Sequence, residues 1–166
     1  QFKDLKRKAL VIGNSTYRND FLKNPVNDAK AVSQELARLG FDVSYEENIK
    51  TRRDFDEIVR TYRKTLNNKT LALFYYSGHA QQLDDKNYLI PTEAKIESAL
   101  DLQYESISLD FILQSMEHRK VQIVVAALDA CRNNQFPKQE KGANRGMAPI
   151  QPSKTLSSLI SFATQP

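Results

Sequence analysis

Short apolar runs alternate along the chain with longer segments in which apolar residues recur every three or four positions. The short runs have the length and composition of buried β-strands, and they lie at 9–13, 41–45, 71–76, 121–128 and 156–162. The longer segments have the spacing of helices that bury one face, and they lie at 28–39, 51–66 and from 108 to about 116. Strands that alternate with helices of this length predict a three-layer α/β/α sandwich with a mostly parallel central sheet.

Two segments depart from this alternation. Residues 81–83 and 87–91 flank the turn Asp84-Asp85-Lys86, which predicts a small hairpin on the rim of the sheet. Residues 131–153 hold prolines, glycines and several lysines, and we expect them to form an exposed, mobile loop.

Length and composition predict one globular domain over residues 1–166. Basic and acidic side chains are interspersed at a net charge of +4, which is typical of a solvated surface rather than of a nucleic-acid interface. No apolar run is long enough to span a membrane, and the charged N-terminus lacks the apolar region of a signal peptide. One cysteine excludes an internal disulfide framework, so we expect a protein of the reducing cytoplasm. From the charge pattern and the apolar runs we expect neither a membrane nor a nucleic acid as partner.

That cysteine carries the most informative chemistry in the chain. Cys131 follows the apolar run 121–128, and His79 follows the run 71–76, where the small residues of Ser77-Gly78-His79-Ala80 are expected to break the strand. The carboxyl ends of parallel strands lie at one edge of a sheet, so a thiol and an imidazole can meet there as a nucleophile and its base. Backbone N–H groups of Gly78, Ala80 and Cys131 are candidates to bind the oxyanion formed by the attack.

These residues also allow other interpretations. A lone cysteine after a strand is usually core packing, and His118, at a helix end, is expected to be a surface residue. Ser77 has no Gly-x-Ser-x-Gly elbow around it, which disfavours a serine hydrolase. A nucleotide-binding domain is disfavoured because the five glycines do not form a phosphate-binding loop.

Four segments in the same order resemble motifs of the caspase-like cysteine peptidases, nearest to metacaspases, paracaspases and bacterial caspase homologues. They are Lys8-Ala9-Leu10-Val11-Ile12-Gly13-Asn14, Tyr75-Tyr76-Ser77-Gly78-His79, Asn87-Tyr88-Leu89-Ile90-Pro91 and Asp129-Ala130-Cys131-Arg132-Asn133-Asn134. The resemblance implies a caspase-type sandwich with His79 and Cys131 as the catalytic dyad. It covers the family's large-subunit region and the first strand of the small-subunit region, so the domain is expected to be incomplete at its C-terminus, without the segment that completes the substrate groove.

The resemblance also implies what the peptidase cuts. In metacaspases and paracaspases an Asp two positions before the nucleophile and a second Asp at the first helix line the specificity pocket, and these positions match Asp129 and Asp28. Two carboxylates can bind a guanidinium in a bidentate manner, so a protein or peptide substrate with Arg, and then Lys, at the cleavage site is expected. The family is often cleaved after the catalytic cysteine on activation, and the candidate processing residues in that loop are Lys138, Lys141 and Arg145.

No cofactor and no metal in the dyad are expected. Two histidines and one cysteine give no zinc-site spacing. Some metacaspases need calcium held by aspartates, whereas this chain has only scattered acids such as Glu93 and Asp110 in the matching stretch, and calcium activation is left open. The alternative to a cysteine endopeptidase with a thioester acyl-enzyme is a non-catalytic caspase-like scaffold or adaptor, against which the intact pair of His79 and Cys131 argues.

Overall fold

The structure, a computed structural model, describes residues 3–132 and 157–163, and from Cys131 onward the description rests on the backbone. Nine strands and four helices lie within these ranges. In chain order they are β1 (Lys6–Gly13), β2 (Thr16–Tyr17), β3 (Asp20–Phe21), α1 (Pro25–Arg38), β4 (Asp42–Glu47), α2 (Arg52–Lys64), β5 (Thr70–Leu83), β6 (Lys86–Leu89), α3 (Ala99–Glu105), β7 (Ile107–Ser108), α4 (Leu109–Glu117), β8 (Ile123–Arg132) and β9 (Ser157–Ala163).

The main sheet has seven strands, of which five run parallel. β1 pairs with β4 and β5, and β8 pairs with β5 and β9, so the parallel strands lie in the order β4-β1-β5-β8-β9. β6 and β7 add antiparallel pairs beyond the end of β1. The sheet is therefore mixed with a mostly parallel centre, which confirms the predicted fold class.

Helices cover both faces of this sheet. On one face α1 packs through Ala29, Val32 and Leu36 against Val11 and Tyr75 of the sheet. On the other face α2 and α4 pack on alternate residues of the same strands, and this larger core includes Phe55, Val59, Ile112, Phe74, Tyr76 and Leu128. Tyr75 and Tyr76 thus serve opposite cores, because successive side chains of a strand point to opposite faces.

β5 does not end at the small residues, contrary to the prediction from Ser77-Gly78-His79-Ala80. It continues to Leu83 because both of its edges stay paired: Ala80 lies opposite Arg132 of β8 and opposite Leu89 of β6. The expected hairpin is present with a turn at Asp84 and Asp85, both at positive φ, but its first strand is the distal part of β5. β8 likewise extends through Arg132, so the first two residues of the loop expected over 131–153 are strand, and the rest lies outside the described residues.

The segment before α1 is also more ordered than the polar loop that the sequence indicates. It forms the antiparallel pair β2 and β3, with Thr16 opposite Phe21 and Tyr17 opposite Asp20. The prediction that α1 begins at Asp28 is wrong: the helix begins at Pro25, and Asn24 occupies the N-cap position. Proline fits the first turn of a helix because the N–H group that it lacks would have no partner inside the helix there.

The remaining helix ends agree with the sequence. α1 ends before Gly40, which has a φ of +83°. The Thr51 hydroxyl accepts from the N–H of Asp54, while the Asp54 carboxylate accepts from the N–H of Thr51, so α2 begins with a capping box. α3 and β7, between β6 and α4, were not predicted. No helix in the described part of the chain is both long and apolar enough to cross a bilayer.

Candidate active site

The strands that carry the candidate nucleophile and base are direct neighbours. In the parallel ladder of β5 and β8, His79 lies opposite Cys131, and Ser77 lies opposite Asp129. Neighbouring strands are about 4.8 Å apart, so the backbones of His79 and Cys131 are within reach of one substrate carbonyl group. The ladder therefore brings the two expected dyad residues together at one position of the sheet.

The imidazole of His79 is buried, with only 1% of the residue exposed. Its Nε2 lies 2.9 Å from the Oδ2 of Asp20 in β3, and its ring lies against the ring of Tyr17, with 4.3 Å between the centroids. Among the described residues, Nδ1 has no hydrogen-bond partner. The β2–β3 pair thus holds one edge of the ring and leaves the other edge for a different group.

Hydrogen bonds also fix the backbone of His79. Its N–H donates to the Tyr17 hydroxyl at 2.8 Å, and its carbonyl accepts from the Tyr76 hydroxyl at 2.6 Å and from the N–H of Ile90 at 3.0 Å. Gly78, at a φ of +154°, makes room for the two hydroxyl groups: a Cβ there would lie 2.7 Å from the Oη of Tyr76 and 2.8 Å from the Oη of Tyr17. Glycine is therefore required one residue before the histidine.

The two acids expected in a specificity pocket interact electrostatically. Burial raises the pKa of the Asp129 carboxyl, and the negative charge of Asp28 raises it further. Burial and the charges of both acids also raise the pKa of the Tyr75 hydroxyl to about 12, an effect that a hydrogen bond with Ser77 partly offsets. Asp28, Asp129 and Tyr75 therefore share one neighbourhood on the α1 face of the sheet.

Close packing of α1 on β1 explains how Asp28 reaches this neighbourhood. Gly13 lies opposite Ser77, which in turn lies opposite Asp129, so these residues form a row across three strands. A Cβ on Gly13 would meet the Pro25 carbonyl at 2.6 Å and the Ala29 Cβ at 2.8 Å. The absent side chain lets the first turn of α1, which includes Asp28, lie directly on the sheet.

The backbone groups expected to bind an oxyanion lie in a paired stretch of β5 and β8. The carbonyls of Ser77 and His79 accept from Asn14 and Ile90, on the edge that faces β1 and β6. Backbone groups of successive residues in a strand point to opposite edges, so the N–H groups of Gly78 and Ala80 face β8. The N–H of His79 faces the other edge and is bonded to Tyr17.

Comparison with known families identifies the family of this fold. The profile of the caspase domain family matches residues 6–166. The chain belongs to the caspase domain family. A comparison with curated protein sequences finds no significant match.

Solved structures support the same fold. Pro-sf-caspase-1 superposes with a TM-score of 0.68 at 13% identity, over 98% of this chain and 63% of that one. A protein of Geobacter sulfurreducens superposes with a TM-score of 0.57 at 18% identity, over 76% of this chain and 50% of that one. The caspase domain described here therefore spans about half to two thirds of the length of these two structures, and its fold is that of a cysteine peptidase.

Other residues singled out from the sequence are distributed as follows. His118 is exposed at the C-terminal end of α4, as expected for a surface residue. Glu93 lies 3.8 Å from Lys50, and Asp110 lies in the first turn of α4. Within residues 3–132 and 157–163 no three metal-binding side chains come together. The candidate processing residues Lys138, Lys141 and Arg145 lie outside the described residues.

Sequence reasoning missed the groups that hold His79 in this caspase domain. Asp20 and Tyr17 lie in strands of two residues each, too short for a hydrophobic period to identify. One signal was available: a buried imidazole needs polar partners, and the polar residues Asn19 and Asp20 beside Tyr17 are typical of a tight turn.

Proposed function

We propose that this caspase domain is a cysteine endopeptidase that cleaves after arginine and, less efficiently, after lysine. The observation that carries the proposal is the row of paired residues on β5 and β8: His79 is opposite Cys131, and one strand repeat earlier Asp129 interacts with Asp28. A nucleophile and its base thus lie next to two carboxylates that repel each other when no cation is present.

Cys131 supplies the nucleophile in the proposed reaction. Its sulfur attacks the carbonyl carbon of the scissile peptide bond as His79 takes the thiol proton, and the carbonyl oxygen becomes an oxyanion. Collapse of this intermediate breaks the C–N bond, the imidazolium gives its proton to the leaving amine, and a thioester remains. Water, deprotonated by His79, then attacks the thioester, which releases the carboxyl product and returns the thiol.

Stabilisation of the oxyanion needs N–H groups that are free to donate. The candidates are those of Gly78, Ala80 and Cys131, and one such donor typically contributes about 3 to 4 kcal/mol to the transition state. Since β5 and β8 are paired through Ala80 and Arg132, the proposal requires this end of the ladder to open when substrate binds.

Asp28 and Asp129 give the proposed pocket its preference. A guanidinium between the two carboxylates would neutralise their repulsion and bind each through a fork of N–H donors. An ammonium offers no planar fork, so lysine should be cut less well than arginine. Loss of either carboxylate leaves part of the substrate charge unpaired, which we expect to cost about 2 to 5 kcal/mol in transition-state binding.

Cleavage of fluorogenic peptides with Arg, Lys or Asp at the cleavage position tests this function in the full-length protein. We expect the order Arg, Lys, Asp, a loss of all cleavage in Cys131→Ala, and a selective loss with Arg peptides in Asp129→Asn. Asp110→Asn is the matched control, because this carboxylate lies on α4, whose core is on the opposite face of the sheet.

Two results would contradict the proposal. A preference for Asp, or an unchanged Arg preference in a folded Asp129→Asn variant, refutes the pocket. No cleavage of any peptide, together with no labelling of Cys131 by an electrophilic peptide ketone, favours a non-catalytic scaffold.

Self-processing follows from the same preference. Lys138, Lys141 and Arg145 offer basic cleavage sites soon after the nucleophile in sequence. Mass spectrometry of the full-length protein should find a cut after one of them that is absent in Cys131→Ala. Cuts only at aspartates, or the same cuts in both proteins, would show that the domain does not process itself.

A further inference from the structure

We propose that Asp20 is a positioning residue that fixes which ring nitrogen of His79 acts as the base. This inference rests on the proposed function, since it assigns Asp20 a role in the same reaction. The observation is the 2.9 Å contact between Oδ2 of Asp20 and Nε2 of His79, on a histidine whose Nδ1 has no hydrogen-bond partner among the described residues.

The chemistry of the two groups determines the tautomer. A neutral imidazole carries one N–H, and an ionised carboxylate can only accept a hydrogen bond. The contact with Asp20 therefore places the proton of neutral His79 on Nε2 and leaves the lone pair on Nδ1. Without Asp20, the neutral ring can adopt either tautomer. Only the one with its proton on Nε2 can act as a base toward a nucleophile on the Nδ1 side.

Tyr17 restrains the same ring in a second way. Its own ring lies 4.3 Å from the imidazole at 54°, and its hydroxyl accepts the N–H of His79. Because Tyr17 lies opposite Asp20 in the β2–β3 pair, one small structural unit sets the backbone, the plane and the tautomer of His79.

The exposure of Asp20 argues for positioning rather than for stability. Its side chain is 43% exposed while that of His79 is 1% exposed. Ion pairs and hydrogen bonds with a solvated partner contribute little to folding, because water competes for the carboxylate. Removal of the carboxylate should thus leave the fold intact and release the orientation of the imidazole.

Kinetics of Asp20 variants of the full-length protein test the role in the reaction. We expect Asp20→Ala to lower kcat by about 10²-fold with KM changed less than about threefold, since a misplaced base slows the chemical step and not substrate binding. Asp20→Asn keeps an amide oxygen that can accept the Nε2–H, so it should lose less. Asp42→Asn, an exposed carboxylate paired with Lys8, is the matched control and should leave both constants unchanged.

Nitrogen-15 NMR of the imidazoles gives a readout that does not need cleavage. These 166 residues hold two histidines, so in His118→Gln the one imidazole signal that they contribute is that of His79. In this background we expect neutral His79 to carry its proton on Nε2, and Asp20→Ala to give a mixture of tautomers while Asp20→Asn retains the Nε2–H form.

The two measurements separate the possible failures. Normal peptide cleavage with a mixed tautomer in the parent protein, or an unchanged kcat in Asp20→Ala, would overturn the positioning role alone. No cleavage by the parent protein, with the Nε2–H tautomer present and lost on removal of Asp20, would overturn the proposed function and retain the contact as the group that orients His79.

Discussion

Gly78 is the position where a single methyl group should do the most damage to the site. In Gly78→Ala the new Cβ would lie 2.7 Å from the Oη of Tyr76 and 2.8 Å from that of Tyr17, at a φ of +154° that side chains rarely adopt. Both hydroxyl groups hydrogen-bond to the backbone of His79, so they cannot move without breaking those bonds.

The expected cost follows from these contacts. Backbone strain at such a φ costs about 1 to 3 kcal/mol, and each displaced hydroxyl loses a hydrogen bond worth about 1 kcal/mol, so Gly78→Ala should lower the free energy of unfolding by about 3 to 5 kcal/mol. Gly40→Ala is the control: its φ is +83°, but its Cβ would meet only the Nη1 of Arg7, at 3.9 Å. Backbone strain alone should cost about 1 to 2 kcal/mol there.

Urea denaturation of the two variants measures this difference. A second comparison adds Tyr17→Phe and Tyr76→Phe to Gly78→Ala, since phenylalanine removes both hydroxyl groups that the methyl group meets. We expect the methyl group to cost less in that background than in the parent protein. An equal cost in the two backgrounds, or a cost at Gly78 no greater than at Gly40, would refute the close approach described here.

Three further predictions concern single side chains. Burial and Asp28 raise the pKa of the Asp129 carboxyl in the folded protein, so the free energy of unfolding should fall as the pH rises from the usual carboxyl range through that raised pKa. In Asp129→Asn this fall should be smaller. Denaturation at several pH values measures it, and the same pH dependence in the variant and the parent protein would refute the reasoning. Thr51→Ala removes the cap of α2 and should cost about 1 kcal/mol in thermal or urea unfolding, whereas no loss would mean that the capping box contributes nothing. His79→Ala should slow peptide cleavage by about 10²- to 10⁴-fold while His118→Ala is nearly silent, and the reverse order would discard the dyad.

Much of the fold could be predicted because its strands are continuous apolar runs. The runs that end near Tyr76 and Leu128 are β5 and β8, and parallel pairing of these two strands places His79 opposite Cys131. Helix ends could also be predicted where one residue type is preferred, such as Thr51 at the N-cap of α2 and Gly40 after the end of α1.

Errors occurred where tertiary contacts override local preference. Ser77-Gly78-His79-Ala80 has the composition of a strand break, but pairing on both edges keeps this segment extended. Gly78 does not form a turn there and instead leaves room for the hydroxyl groups of two tyrosines. The sequence pattern assigns Pro25 to the loop before α1, so the predicted start of the helix is Asp28. Asp20 lies 59 positions before His79, and no local pattern indicates a contact over that separation.

The pairing of β5 with β8 competes with the reaction proposed for this domain. Strand pairing and the proposed oxyanion binding use the same amide hydrogens, since the N–H groups of Gly78 and Ala80 face β8. Each ladder bond that stabilises the resting chain is a bond that the proposed catalysis must exchange for one to substrate. The Ala80 amide should therefore be protected against hydrogen exchange with solvent while β5 and β8 are paired. Loss of this protection would indicate the open ladder that the proposed catalysis requires.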